Sequence, residues 1–258
     1  MTLLNLLPTW LIFCLAVLVV GILSITVTRF MRKIGFFVKF KDGTTVTTFF
    51  SIVATLESIV LAFIVVAVWQ QFDSTDKVVS TEAVALTSLY RDTDWLQSEQ
   101  KNIIKNAIVN YTKSVIDFDY PQMKYGRLSL EGDRALQELF RAYETLEKET
   151  ATRESILAQT LSQLNIVAQS RVYRLNQARS EVPTTLYVVL IIGGIFTISI
   201  GAIVPMEHWT LHTWLNVIYA ITGALLLALA FVMDHPFSGD FSISTKVFED
   251  ALKFYTAI

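Results

Sequence analysis

Four long apolar runs, interrupted by one strongly charged stretch, constrain the fold of this chain most. The runs are Leu11–Thr28, Phe49–Trp69, Leu186–Val204 and Trp214–Met233. Each is long enough to cross a hydrocarbon core of roughly 30 Å, which takes about 20 helical residues. Segment 73–182 holds 14 of the 21 Lys and Arg residues and 16 of the 23 Asp and Glu residues. This division predicts an all-α integral membrane protein with four transmembrane helices and a water-soluble insert between the second and third.

The insert is predicted to be a helical bundle. Apolar residues recur at spacings of three and four in segments 78–95 and 99–115, which indicates two helices. Pro121 and Gly126 indicate a break, and a third helix is expected to start near Ser129.

The longest helix of the insert is expected from about Thr152 to Val182. Its apolar stripe is interpreted as the seam of the bundle core rather than as a zipper for a partner, because the insert needs a core of its own. The stripe consists of Leu157, Leu161, Leu164, Ala168, Val172, Leu175, Ala178 and Val182.

Four domains follow from this segmentation. Residues 1–72 form a membrane hairpin, 73–183 the insert, and 184–235 a second membrane hairpin. The last segment, 236–258, leaves the fourth span on the side of the insert, so it is expected to dock there. The candidate contacts are Phe237, Phe241, Val247 and Phe248.

Composition excludes some classes of protein. A net charge of −2 and a pI of about 5.9 do not provide the basic surface that a nucleic-acid-binding protein needs. Cys14 is the only cysteine and lies within the first apolar run, so one chain builds neither a disulfide framework nor a cysteine metal site.

No motif in the chain is typical of an enzyme. There is no Gly-rich phosphate loop, no nucleophile elbow and no metal-ligand cluster of suitable spacing, so no catalytic residue, metal or cofactor is predicted. His208 and His212 lie four residues apart, but no third ligand is near. Their segment is interpreted as an interfacial loop in which Trp209 and Trp214 lie at the level of the lipid headgroups.

The second apolar run contains the strongest functional signals. Glu57 is the only formally charged residue of this run. An ionisable residue at membrane depth usually faces protein or water. Glu57 is also near enough to the start of the run for its side chain to extend toward Lys39 or Lys41. Small and hydroxylated residues recur on one helical face, which suits either a water-lined pore or close helix packing. The residues that follow include Gln70, Gln71, Asp73, Asp76 and Glu82. They form either a ring at a pore mouth, if several subunits surround an axis, or an ordinary solvated extension of the helix. The pore-lining candidates are Ser51, Thr55, Glu57, Ser58, Ala62, Trp69, Asp73 and Asp76.

The connection between the first two runs is basic and aromatic, which suits the headgroup layer beside anionic lipid. Asp42 and Gly43 are expected to turn the chain after it. The residues concerned are Arg29, Arg32, Lys33, Lys39 and Lys41, with Phe30, Phe36, Phe37 and Phe40.

Short motifs spread over nearly the whole chain resemble the bestrophin-like family of membrane proteins. That family tends to show an acid-Ala pair after the second span, a Tyr in the next helix and an acid-Trp-Pro turn, at which this chain has Tyr120 in place of Trp. The resemblance implies four spans, a helical extramembrane domain and the oligomeric ion-channel behaviour of bestrophins. The motif residues are Trp69, Glu82-Ala83, Tyr90-Arg91, Asn110-Tyr111, Asp119-Tyr120-Pro121 and Asp234-His235-Pro236-Phe237-Ser238-Gly239.

A second set of residues is expected to couple the insert to the spans rather than to perform chemistry. Trp69, Glu82, Tyr111 and Pro236 are predicted to converge where the spans meet the insert. The complete coupling set is Glu82, Tyr111, Pro121, Asp234, Pro236 and Gly239.

The favoured function is a homo-oligomeric channel that conducts small ions, with the second span lining the pore and the insert forming a vestibule. The alternative is a non-conducting scaffold or sensor whose insert binds a protein partner. Membrane lipid, further copies of the chain and small ions are the expected partners; nucleic acid is not.

The expected location is the bacterial inner membrane. Five Lys and Arg residues lie between the first two runs, against none before the first run or between the last two. The positive-inside rule therefore favours a cytoplasmic connection and an insert outside. The resemblance to bestrophins, whose large domain is cytosolic, implies the opposite orientation.

Overall fold

The computed structural model describes residues 2–34, 43–144, 154–180 and 182–256, and these residues are helical almost throughout. They form ten α-helices joined by short turns, one 3-10 segment and one π-helical segment, and they contain no strand. The predicted all-α class is therefore confirmed.

The chain divides into two compact units. The first, here called the membrane unit, consists of Leu6–Gln71 and Glu181–Asp234. The second, here called the helical unit, consists of Met1–Asn5, Phe72–Ser180 and His235–Ile258.

The membrane unit contains the four transmembrane helices that the apolar runs predict. These are α2 (Thr9–Lys33), the first part of α3 (Gly43–Asp92), α8 (Thr184–Ile203) and α9 (Trp209–Met233), each long and apolar enough to cross a membrane. Helix α2 packs on both α8 and α9, and its buried residues are the small side chains Gly21, Ser24 and Thr28. Small residues suit this contact because they let the backbones of membrane helices approach closely.

The helical unit surrounds one hydrophobic core. Its largest fully buried aliphatic side chains come from at least four different helices and include Leu86, Ile104, Leu139 and Leu164. Its helices, besides the second part of α3, are α1 (Thr2–Leu6), α4 (Ser98–Ser114), α5 (Tyr120–Met123), α6 (Leu130–Glu144), α7 (Glu154–Gln177) and α10 (Lys246–Thr256).

The second transmembrane helix and the first helix of the insert are one continuous element. Helix α3 runs for 50 residues from Gly43 to Asp92, and a 3-10 turn at Thr93–Trp95 ends it. The sequence analysis described segments 49–69 and 78–95 one by one, and the solvated helix extension that it gave as an alternative joins them in the structure. Between Thr44 and Trp95 there is neither Gly nor Pro, so nothing in the backbone stops the helix where its composition changes from apolar to polar. Asp42 and residues 36–41 of the basic connection lie outside the described residues.

Of the two residues expected to mark the break, Gly126 turns the chain and Pro121 does not. Helix α4 passes through a π-helical segment at Val115–Asp119 directly into α5, which contains Pro121, and the chain turns only at Gly126 with a φ of 65°. A π-turn changes the hydrogen-bond ladder of a helix, which accommodates the N–H that Pro121 lacks. Glycine takes a positive φ without a steric cost, and this explains the position of the turn.

Helix α7 ends at Gln177, five residues earlier than the sequence analysis placed it. The N–H groups of Arg179 and Ser180 both bond to the carbonyl of Asn176, which closes a final turn before Pro183. The expected start at Thr152 lies outside the described residues. Of the expected stripe, Leu164, Leu175 and Ala178 are buried, whereas Val172 is exposed.

The C-terminal segment contributes side chains to the core of the helical unit. Phe237 and Phe248 are buried in it, and Val247 packs against it. Phe241 is partly exposed, and its ring stacks on that of Phe72 at a centroid distance of 5.4 Å.

The stacking of Tyr255 on Tyr90 attaches α10 to the end of α3. The two ring centroids lie 4.3 Å apart, and the Tyr90 hydroxyl donates to the carbonyl of Tyr255 at 2.9 Å. Helix α10 therefore belongs to the same packed core as the insert.

Candidate functional site

The pore-lining candidates on the membrane part of α3 share one exposed side of the helix. Ser51, Thr55, Ser58 and Ala62, here called the hydroxyl face, are all exposed. Each of the three hydroxyls donates to the carbonyl four residues earlier, at 3.0, 2.7 and 2.7 Å. This bond uses the single hydroxyl proton and leaves each oxygen able to accept a hydrogen bond from outside the subunit.

The other candidates on α3 have separate positions. Trp69 belongs to the membrane unit, and 59% of its surface is exposed. Asp73 and Asp76 belong to the helical unit and are exposed, and Asp73 forms an ion pair with Lys77 at 2.5 Å.

Glu57 differs from the hydroxyl face because its side chain contacts two other spans. Its Oε2 atom accepts hydrogen bonds from the Thr197 hydroxyl of α8 and from the Tyr219 hydroxyl of α9, the latter at 3.2 Å. The structure thus groups Glu57 with α8 and α9 rather than with Ser51 and Thr55.

The centre of the helical unit is a buried ion pair between Arg174 of α7 and Glu82 of α3. Both side chains are fully buried, and the guanidinium forms two parallel bonds to the carboxylate at 2.8 and 3.0 Å. The Tyr111 hydroxyl donates to the same carboxylate at 2.6 Å, and a third guanidinium nitrogen reaches the sulfur of Met123 at 3.1 Å. The expectation that Glu82 joins a ring at a pore mouth is therefore wrong, since all its partners lie inside the bundle.

A second pair of charges extends this centre. Asp119 accepts from Arg174 at 3.1 Å and from two nitrogens of Arg171 at 3.2 Å each. Arg171 also pairs with Asp133, whose side chain is about half exposed. A Cβ atom on Gly132 would lie 2.1 Å from Asp119 Oδ1, so the close approach of α6 depends on this glycine. We call Glu82, Asp119, Arg171 and Arg174 the charged centre.

Burial and mutual charge explain the protonation state of this centre. Burial and the negative charge of Glu82 both raise the pKa of the Tyr111 hydroxyl well above its ordinary value. Burial alone would lower the pKa of the Arg174 guanidinium, but Glu82, Tyr111 and Asp119 outweigh it and raise that pKa well above its ordinary value. The tyrosine therefore stays a neutral donor and the guanidinium stays charged, and two Arg balance two carboxylates.

The coupling set falls into separate groups. Glu82 and Tyr111 bond to each other inside the helical unit, and Pro121 is exposed on its surface. Asp234, in the membrane unit, accepts from the Val182 N–H at 3.0 and 3.1 Å and from the Tyr187 hydroxyl at 3.1 Å. Its carboxylate thus satisfies a donor just before α8, as a helix cap does.

Gly239 contacts the N-terminal helix, whereas Pro236 bonds within the C-terminal segment. The Pro236 carbonyl accepts from Ile243, and Gly239, with a φ of 75°, donates its N–H to Asn5 at 3.3 Å. Asn5 in turn donates to the carbonyl of Lys124 at 2.8 Å.

Polar residues in the spans also pair outside the candidate set. Asn216 donates to Thr28 at 2.9 Å and to the carbonyl of Ile198 at 3.3 Å, and His212 bonds to the carbonyl of Gly201 at 2.9 Å. In the part of the chain that the structure describes, no group of three or more His, Cys, Asp or Glu side chains is placed to hold a metal ion.

The sequence analysis missed four residues of these sites, namely Arg171, Arg174, Thr197 and Tyr219. The two arginines lie three apart on the core side of α7, and charged residues on an apolar side of a helix are a signal of buried pairing. Thr197 and Tyr219 carry no comparable signal, since single hydroxyl residues are common in membrane helices.

Comparison with known proteins agrees with this architecture. The sequence profile of the bestrophin-like domain matches residues 13–248. No protein with a curated description matches the sequence significantly.

Two crystal structures of a bacterial bestrophin homolog from Klebsiella pneumoniae share the fold. A single-substitution variant superposes with a TM-score of 0.74 at 14% identity, covering 97% of this chain and 99% of that chain. A second structure, phased on zinc, gives a TM-score of 0.74 at 15% identity, covering 96% and 97%. The fold and the spans thus define a multi-pass, all-α membrane protein with the architecture of these homologs. The chain belongs to the bestrophin-like family.

Proposed function

We propose that this chain is a channel-like protein of the cell membrane that assembles as a homo-oligomer and conducts small ions along the hydroxyl face of α3. The observation that carries this proposal is the exposure of Ser51, Thr55, Ser58 and Ala62 within one subunit. A symmetric ring of subunits would bring several copies of this face around one axis.

The hydroxyl face suits water better than lipid. The three hydroxyl protons are used by backbone carbonyls, but the oxygens still accept, and water or cations in a pore would offer them partners that lipid tails lack. Only 11% of the 18-residue apolar stretch of α3 is buried within the subunit, against 28% of the corresponding stretch of α8 and 33% of that of α9. The second span therefore has the most surface left for contact with other subunits or a pore.

The continuity of α3 extends the same pattern of residues. Asp73 and Asp76 follow Trp69 at steps of four and three, and both are exposed. Carboxylates at the end of a conducting path raise the local concentration of cations. Membership of the bestrophin-like family and the fold shared with bestrophin homologs support a channel over an enzyme.

A first test measures the oligomeric state of the full-length protein in lipid nanodiscs by native mass spectrometry. The proposal predicts one closed assembly of three or more copies, since a four-span monomer has no symmetric axis for a pore. A stable monomer would contradict it and favour the non-conducting scaffold.

A second test compares two exposed serines that form the same intrahelical bond, Ser58 of α3 and Ser199 of α8. Each is changed to Cys in a Cys14→Ser background and treated with a charged, water-soluble thiol reagent during planar-bilayer recording. Modification of Ser58→Cys is expected to change the current, because charge in a narrow pore acts strongly on a permeant ion. Ser199→Cys is expected to give no change. Absence of current in the parent, or indifference of Ser58→Cys, would contradict conduction along this face.

A further inference from the structure

Glu57 is a carboxylate at membrane depth without a basic partner. It forms no ion pair with a Lys, Arg or His of the described residues, and its contacts are the hydroxyls of Thr197 and Tyr219. An uncompensated charge in this position costs a few kcal/mol or more. Something else must neutralise it.

The carboxylate has one occupied and one open oxygen. Both hydroxyls bond to Oε2, whereas Oε1 accepts no hydrogen bond from a described residue. Oε1 faces Gly193 and Gly194 of α8, where added Cβ atoms would lie 3.7 and 3.2 Å from it. Because both positions lack side chains, the carboxylate lies close to the backbone of α8, and no side chain at these two positions covers the open oxygen.

The oxygens around this space are those that bind hard cations. Thr197 Oγ1 lies next to the carboxylate and also 2.9 Å from the main-chain carbonyl of Gly193, which brings a carboxylate, two hydroxyls and a carbonyl together. Hard cations prefer such all-oxygen sites. Only one of these groups is charged, so one monovalent ion neutralises the site, whereas a divalent ion would leave a positive charge at membrane depth.

We propose that a monovalent alkali cation of the size of Na⁺ binds within each subunit between α3, α8 and α9, with Glu57, Thr197, Tyr219 and the Gly193 carbonyl as ligands. The ion neutralises the carboxylate and ties the second span to the third and fourth. Ser58 of the hydroxyl face is a neighbour of Tyr219 in this site, but the site does not depend on whether the chain conducts ions.

The test is equilibrium binding of radiolabelled Na⁺ to the purified full-length protein, by scintillation proximity, with choline chloride maintaining ionic strength. Wild type is expected to bind saturably, and Glu57→Gln is expected to abolish saturable binding. Thr197→Val removes the hydroxyl ligand but keeps nearly the same side-chain shape, and it is expected to weaken Na⁺ binding by roughly tenfold or more. Thr222→Val is the matched control, because its hydroxyl forms the same bond to the carbonyl four residues earlier but does not touch Glu57.

Thermal unfolding gives a second readout that does not require the label. NaCl is expected to raise the unfolding temperature of wild type and of Thr222→Val above that in choline chloride, to raise that of Thr197→Val less at the same concentration, and to leave that of Glu57→Gln unchanged. Absence of saturable Na⁺ binding in wild type, or binding that survives in both site variants, overturns the proposal. Stabilisation of wild type by acid but not by Na⁺ overturns it as well, since a proton would then neutralise Glu57.

Discussion

At the scale of single residues, the charged centre shows how buried groups depend on one another. Arg174 satisfies two carboxylates on two other elements, and its fork matches the geometry of Glu82. Such a set stabilises a fold only while it is complete, because removal of one partner leaves the others charged and desolvated.

Arg174→Met is accordingly expected to lower the free energy of unfolding by about 3–5 kcal/mol, since Glu82 and Asp119 lose a buried partner. Arg174→Lys keeps the positive charge but loses the two parallel hydrogen bonds of the guanidinium, so its free energy of unfolding should lie between those of wild type and Arg174→Met. Thermal unfolding in detergent, monitored by circular dichroism, measures both. Arg134→Met on the exposed side of α6 is the control and should change little. Equal stability of the two Met variants would show that the charged centre does not hold the helical unit together.

Tyr111 gives this centre a pH dependence on the alkaline side. The pKa of its hydroxyl is raised in the folded protein, so above about pH 10 the unfolded chain loses a proton that the folded chain keeps. The free energy of unfolding should therefore fall as the pH rises beyond about 10, and this group adds no pH dependence below that value. Burial raises the pKa of Tyr120 and Tyr143 in the same direction.

Tyr111→Phe is expected to make this decline shallower by up to about 1.4 kcal/mol per pH unit, the slope of one titrating group. Unfolding of both proteins followed between pH 9 and 12 provides the comparison, with Tyr125→Phe, an exposed tyrosine, as the control. Identical slopes for Tyr111→Phe and wild type would mean that Tyr111 ionises equally in both states.

Sequence spacing could identify Glu57 but not its partners. A lone charge in an apolar run is visible in the sequence, whereas Thr197 and Tyr219 lie 140 and 162 residues away. Which of many hydroxyls meets the carboxylate depends on how the spans pack. The charged centre was missed for a different reason: arginine is ordinarily a surface residue, and only its partners make its burial favourable.

At the scale of helices, the apolar runs predicted all four spans because lipid offers no partner to an unpaired backbone group. The helices extend beyond the runs, however: the first run is Leu11–Thr28, and α2 is Thr9–Lys33. Composition detects only the part in hydrocarbon, while the hydrogen-bond ladder continues until a residue interrupts it. The same difference explains why α3 passes from the membrane unit into the helical unit as one helix.

The packing of α8 predicts different outcomes for two glycines in the spans. A Cβ atom on Gly201 would lie 2.6 Å from Asn216 Oδ1 and 3.0 Å from a ring carbon of Phe50, whereas nothing lies within 4 Å of one on Gly223. Gly201→Ala should therefore destabilise the protein by about 1–3 kcal/mol, and Gly223→Ala should not. The unfolding temperatures of both variants in detergent decide this. A tolerated Gly201→Ala would mean that α8 and α9 can separate without cost.

At the scale of the whole molecule, a chain that crosses the membrane four times is expected to have the helical unit and the loop between α8 and α9 on opposite sides. The positive-inside rule predicts that the helical unit lies outside. Ser129 is buried and bonds to the Gly132 N–H, so a cysteine there is a poor reporter of sidedness. Gln122 and Glu207 are exposed, and the four-span topology predicts that they lie on opposite sides.

Gln122→Cys, in a Cys14→Ser background, is therefore expected to react with a membrane-impermeant maleimide on intact cells, and Glu207→Cys only after lysis. Labelling is measured by gel fluorescence of the purified protein. The reverse pattern would place the helical unit in the cytoplasm, as the resemblance to bestrophins implies. Labelling of both sites on intact cells would contradict the four-span topology.

The position of α10 in the chain has a consequence for biosynthesis. The segment after α9, with Phe237, Phe248 and Tyr255, completes a core whose remaining side chains precede α8, so the ribosome must make two further spans before the core can close. At about 5–20 residues per second, this interval lasts several seconds. During it, an apolar cleft in the nascent helical unit remains uncovered while the translocation machinery handles α8 and α9, and that cleft is where a chaperone would be needed.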